Sequence, residues 1–277
     1  MPRFCSSLFF SVIFASQAFA QHTMPELDQD ELEWLGDRIF ANECNREARC
    51  LTSWNEGEEF PSLGLGHFIW YRAGQQEAFV ETFPALLDAL VADGVELPAW
   101  LVLTDREQPW PDRASFLAAV EGPELSGLRA LLQDTMPQQT RFIVTRFATQ
   151  LDALLATLAA DERAVIEPRI ARILAEDARH GSYALIDYVH FKGAGTDAGE
   201  RYAGHGWGLL QVLQAMPEPP GPSLLEDFVH SAEAMLARRV ANAPPERDEQ
   251  RWLAGWNRRL GTYLPGRRVH TGTSTEQ

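Results

Sequence analysis

The sequence lacks the marks of several common chemistries. No G-x-S-x-G elbow offers a strained serine nucleophile, and the seven histidines show no H-E-x-x-H spacing. The glycine-rich run GAGTDAGERYAGHG has neither the lysine nor the preceding strand that a phosphate-cradling loop requires, so it reads as a flexible loop between helices. Long apolar stretches are also missing. The run from Leu8 to Ala15 falls short of the roughly 20 residues needed to span a bilayer, and no later segment is long and apolar enough, so no stable membrane insertion is expected. Positive charge is in deficit: a formal net charge of −15 argues against nucleic acid or an anionic membrane as partner. Disorder is excluded by 45% hydrophobic residues and eight tryptophans in 277 residues, enough for a substantial core.

Cysteine is scarce, and its placement is informative. MPRFCSSLFFSVIFASQAFA has a cationic start at Arg3, a short apolar centre and a small-x-small end at Ala18-Phe19-Ala20, the pattern of a cleavable secretory signal over residues 1–20. A mature chain starting near Gln21 keeps only Cys44 and Cys50, which an oxidising compartment allows to bond. Two thiolates without an adjacent histidine make a poor zinc set, and no metal or cofactor is expected. The expected location is periplasmic or secreted.

Between Glu26 and Glu43 the apolar residues Leu32, Leu35 and Ile39 recur at steps of three and four, which predicts an amphipathic helix with acidic residues in its first turns. One further step of four lands on Glu43, at the end of that helix and on its buried face. The β-prone pieces LTSW and HFIWY flank a glycine-marked turn and predict a small hairpin or three-stranded sheet. From Ala78 onward the pattern is almost wholly helical, with the stretch from Gln138 to Ala178 read as a single helical segment. The fold class is therefore α+β, mainly helical, with a small sheet near the N-terminus.

Glu43 and Glu56 lie in unlike settings. An apolar face disfavours an ionised carboxyl, whereas a polar turn beside Asn55 and Gly57 leaves Glu56 in contact with water. Glycoside hydrolysis commonly needs such a contrast, with one carboxylic acid to protonate the leaving oxygen and one carboxylate to activate water or attack the sugar. Glu43 takes the first role and Glu56 the second, with the Ser62 hydroxyl helping to hold a water. An ordinary acidic turn is the competing account of Glu56, because Glu58 and Glu59 are its neighbours.

These residues carry a family resemblance. LTSWNEGEEFPSLGLGH resembles the hairpin of phage-type lysozymes, in which a helix-end glutamate is followed by an acidic residue, five further residues, a hydroxyl residue and a Gly-x-Gly-His turn. Those places fall here on Glu43, Glu56, Ser62 and Gly64-Leu65-Gly66-His67. ALIDYVHFKGAG, GWGLLQVL and SAEAMLARRVANAPPERDEQRWLAGWNRRL follow the order of the helices that close the second lobe of such enzymes. The resemblance covers roughly residues 30–72 and 180–262 and leaves a helical block around 75–177 unmatched. It implies a single lysozyme-like domain over residues 21–277 and hydrolysis of a β-linked amino-sugar polymer, with peptidoglycan as the polysaccharide partner. It further implies that Phe68 and His190 contact substrate. The second acid is Glu where the family has Asp or Cys, the hydroxyl residue is Ser where it has Thr, and the charge is acidic where many such enzymes are basic. Two alternatives follow: a lysozyme-fold glycan-binding protein without turnover, and a chitosanase-like hydrolase of a cationic glycan.

Overall fold

The first helix is set by its ends. The Asp28 carboxylate accepts from the Glu31 amide at 2.9 Å while the Glu31 carboxylate accepts from the Asp28 amide at 3.0 Å, a reciprocal cap that satisfies two of the donors a helix start leaves open. This cap starts α1 (Gln29–Cys44) slightly later than the apolar spacing alone indicates. Leu32, Leu35 and Ile39 are buried along it as expected, and it stops where Asn45 and Arg46 turn to positive φ. A computed structural model describes residues 24–75, 79–197 and 199–266; the segment read as a secretory signal lies outside them.

Cys44, the last residue of α1, is disulfide-bonded to Cys50. A single 3₁₀ turn at Ala48–Leu51 then leads into β1 (Thr52–Ser53), β2 (Ser62–Leu63) and β3 (Phe68–Ile69). They form an antiparallel sheet in that order, with Ser53 opposite Ser62 and Leu63 opposite Phe68. The β2–β3 turn depends on Gly64, whose φ of +68° suits glycine and whose missing side chain leaves room for Gln139. Gln139, fully buried, accepts from the Leu65 amide at 2.8 Å and donates to the Leu132 carbonyl at 2.6 Å, which fastens the turn to the helices beneath it.

The rest is helical: α2 (Phe83–Ala92), α3 (Ala99–Leu103), α4 (Arg113–Ala118), α5 (Pro123–Asp134), α6 (Met136–Thr157), α7 (Ala160–Glu176) and α8 (Ala178–Lys192), then α9 (Leu209–Ala215), α10 (Leu224–Asn242) and α11 (Gln250–Gly261). From Phe83 to Glu176 the block is mainly helical, and it is built into the core: α6 runs against α1, where Gly36 lets Thr140 approach closely, and also meets α2 and α8. Trp70 follows β3 and packs on Phe83, Trp100 and Trp110, so it and the buried Tyr71 serve the core. One apolar cluster runs from Leu35 through Leu63, Leu86, Phe147 and Tyr183 to Phe228.

Two expectations are corrected. The helical segment read from Gln138 to Ala178 divides into α6, α7 and α8: Leu158 and Asp177 are extended, and Asp161 and Glu162 sit where a fresh helix start favours negative charge. The run read as a flexible loop contains a hairpin, β4 (Arg201–Tyr202) with β5 (His205–Gly206), reversed by Ala203 and Gly204 at φ +49° and +79°. Positive φ at both central residues matches the twist of the paired strands. Among the described residues no helix is long and apolar enough to cross a membrane.

The turn above Gln139 is testable. Gly64→Ala forces a side chain into the left-handed region, with a Cβ 2.5 Å from Gln139 Oε1. It is expected to lower unfolding free energy by at least about 1–2 kcal/mol in urea titration, the cost of left-handed backbone for a residue with a Cβ; an unchanged midpoint would show that the turn relaxes freely.

A candidate active site around Glu43

The site is assembled from the end of α1, the β2–β3 turn, and the ends of α8 and α11. Asn42 and Glu43 project from the last turn of α1. Asn42 Nδ2 donates to Asp187 at 3.1 Å and to the Tyr183 hydroxyl at 2.7 Å, both on α8. Glu43 Oε1 accepts a short hydrogen bond from Arg259 Nη2 on α11. Arg259 also grips Asp187 with both Nε and Nη2 at 2.9 Å, and the Tyr263 hydroxyl donates to the same carboxylate at 2.6 Å. Asp187 has no exposed surface. Burial pushes its pKa up, but Arg259 and the hydrogen-bond donors outweigh that, and the net direction is down. The same pairing holds Arg259 charged against its own burial.

Glu43 therefore departs from the sequence expectation. Its side chain is only 14% exposed, as the stripe requires, yet its neighbours are polar and cationic. Its Oε2 faces His67 Nδ1 at 3.8 Å and His190 Nε2 at 3.7 Å. Burial pushes the His67 pKa down, with the Glu43 charge pulling the other way, His190 adding to the fall and Glu58 opposing it. The other His67 nitrogen, Nε2, lies 3.6 Å from Cys50 Sγ, so the disulfide walls one side of the site. Behind it, Phe191 lies between Arg259 Cζ at 4.3 Å and Lys192 Nζ at 3.9 Å from its ring centre; Lys192 also sits 3.4 Å from the Trp256 ring centre. Burial, followed by the Arg239 charge, pushes the Lys192 ammonium down to about 7.

His67 and His190 line a cleft of about 360 Å³ between β3, α6 and α8, floored by Phe68, Phe147 and Ile186. Arg146 stands in its wall with neither an ion pair nor a hydrogen bond among the described residues, and burial lowers its pKa. Of the residues singled out from sequence, Glu43 and His190 are brought together and Phe68 lies at the cleft. The Phe68 ring is buried, packed over Gly66 and against Phe142, so it shapes the floor. Glu56 and Ser62 fall elsewhere. Glu56 is exposed in the turn between β1 and β2, while Ser62 is buried in β2 beside Ser53, whose hydroxyl donates to the Ser62 carbonyl at 3.1 Å. Ser62 is not part of the cleft lining.

The carboxylate of that turn whose field reaches His67 is Glu58. Asn55 Nδ2 donates to Glu58 Oε2 at 3.2 Å, and the Glu58 carbonyl accepts from the Trp54 indole at 2.7 Å. Sequence reading missed Asp187, Arg259 and Asn42 entirely; their one signal was a charged residue inside the apolar helix YALIDYVHF. No family model matches the chain, and neither does any curated protein or solved structure.

The buried ion pair yields a stability prediction. Asp187→Asn leaves Arg259 without its main partner and is expected to cost about 3–5 kcal/mol at pH 7, the range for removing one member of a buried pair. Because the folded pKa of Asp187 is lowered, its contribution is present above the unfolded value of about 3.9 and is lost as pH falls below it. Urea titrations at pH 7 and pH 3 should therefore find a smaller difference between wild type and variant at pH 3. An equal difference at both would show that the pair carries no such linkage.

Proposed function

We propose that the chain is an exported, lysozyme-like glycoside hydrolase acting on a β-linked amino-sugar polymer, with Glu43 as the proton donor. The observation that carries this reading is the placement of Glu43: a carboxyl at a helix end, fixed by Arg259, directly behind His67 and His190, which line the cleft. The resemblance of LTSWNEGEEFPSLGLGH to the phage-type lysozyme hairpin supports the same assignment. The disulfide between Cys44 and Cys50 supports an oxidising compartment.

The second carboxyl comes from the turn between β1 and β2. Glu56 is the residue the resemblance implies, with Ser62. Glu58 is the second candidate, since it is half-buried where Glu56 is exposed and is held by Asn55. Its role is to orient water or stabilise positive charge on the sugar. Arg146 favours a substrate bearing carboxylates, such as peptidoglycan, over a cationic glycan. The net charge of −15 points the other way, but it acts through a medium that screens charge over about 8 Å at physiological ionic strength, whereas Arg146 lies in the cleft itself.

The mature protein is expected to release reducing ends from peptidoglycan, and Glu43→Gln to reduce that release at least about 100-fold, the lower end of what a positioned acid contributes. Glu58→Gln is expected to lower the rate more than Glu56→Gln. Equal activity in wild type and Glu43→Gln would sink the assignment. Glycan retention by the wild type without any release across a broad pH range would identify a binding protein, and cleavage of chitosan in preference to peptidoglycan would identify the other polymer.

A further inference from the structure

Glu43, His67 and His190 also form a constellation that the hydrolase reading does not use as a unit. Glu43 Oε2 stands 3.8 Å from His67 Nδ1 and 3.7 Å from His190 Nε2, beyond hydrogen-bond length, and the three donor atoms lie within 4.8 Å of one another. Zinc bonds of roughly 2.0–2.2 Å put adjacent tetrahedral ligands roughly 3.4 Å apart. The two separations from Glu43 are therefore a few tenths of an ångström from that edge. The remaining edge, between the histidines, is no longer than 4.8 Å, and His190, whose side chain is 32% exposed in the last turn of α8, is the ligand with room to adjust.

The surroundings suit a divalent cation. Arg259 takes Oε1 of Glu43 and leaves Oε2 free, and the Arg259 charge is itself offset by the fully buried Asp187. His67 has its Nε2 against the disulfide sulfur, so that Nδ1 is the nitrogen aimed at Glu43. Two imidazoles and one carboxylate form a set that favours zinc or copper over magnesium or calcium, which prefer oxygen. The Cys44–Cys50–His67 group offers no comparable site, because its sulfurs are bonded to each other.

We propose that Glu43, His67 and His190 bind one divalent ion of the zinc class, in a coordination sphere open toward the cleft that both histidines line. The proposal stands apart from glycoside hydrolysis. One consequence alone rests on that reading: the ion occupies the carboxyl that hydrolysis uses, so metal binding and turnover exclude each other.

Equilibrium dialysis of the untagged full chain against zinc chloride tests the site. One equivalent is expected whose affinity falls at least about 10-fold in His190→Ala and in Glu43→Gln, since loss of even a supporting partner costs a metal site that much. Cobalt(II) titration should give the visible absorption of a four-coordinate nitrogen and oxygen site in wild type and not in His190→Ala. His180→Ala, which removes a histidine paired with Asp177 at 3.0 Å, should leave zinc affinity unchanged. Failure of folded wild type to bind zinc, or unchanged affinity in His190→Ala, overturns the proposal, as does an equal loss in His180→Ala. Reducing-end release measured in chelator reports on hydrolysis with no ion present, so either idea can fail without the other.

Discussion

Asp187 carries a charge in a place that water does not reach, and the arrangement of three helices follows from how that charge is compensated. Taking a carboxylate out of water costs several kcal/mol even after relaxation, so it must be answered by close, well-aimed donors. Arg259 and Tyr263 supply three hydrogen bonds from the end of α11 and just beyond it, and Asn42 supplies one from α1. Asn42 precedes Glu43 in the chain, and Arg259 is shared between Asp187 and Glu43. Docking α1, α8 and α11 and aiming the Glu43 carboxyl are therefore one interaction. A helix that drifted would leave a buried charge unpaired, which penalises any displacement of the Glu43 carboxyl.

What could be read from the sequence was local. The steps of three and four among Leu32, Leu35 and Ile39 define a buried face by helical period alone, and Glu43 follows from the same count. The pairing of Cys44 with Cys50 and the short antiparallel strands are likewise near-neighbour features. The partners that give Glu43 its setting are not: Arg259 lies 216 positions away, and Asp187 and Arg259 are 72 apart. An apolar stripe says which way a side chain points but not what waits there, and here the neighbours were a guanidinium and two imidazoles where hydrocarbon was expected.

Loops and short strands were legible to a lesser degree, because a single dihedral decides them. Gly57, at φ +84°, stands between Glu56 and Glu58, and the path of the chain there leaves Glu56 exposed and Glu58 half-buried. Composition treats the two residues alike. Ala203-Gly204 lacks the Asn-Gly or Asp-Gly signature of a tight hairpin, so β4 and β5 were hidden in a glycine-rich run. In two-residue strands such as β2, alternation offers too few positions to tell core from cleft, which is why Ser62 was read as helping to hold a water and is found buried.

Lys192 gives the molecule an unusual chemical address. It is the only lysine in the sequence, and its amine lies under the rings of Phe191 and Trp256 with 8% of the residue exposed. Amine-directed reagents that decorate the surface of most proteins find no exposed side-chain target here. Among side chains, only Lys192 can then take such a reagent, and the rate at which it becomes acylated reports how often the end of α8 opens.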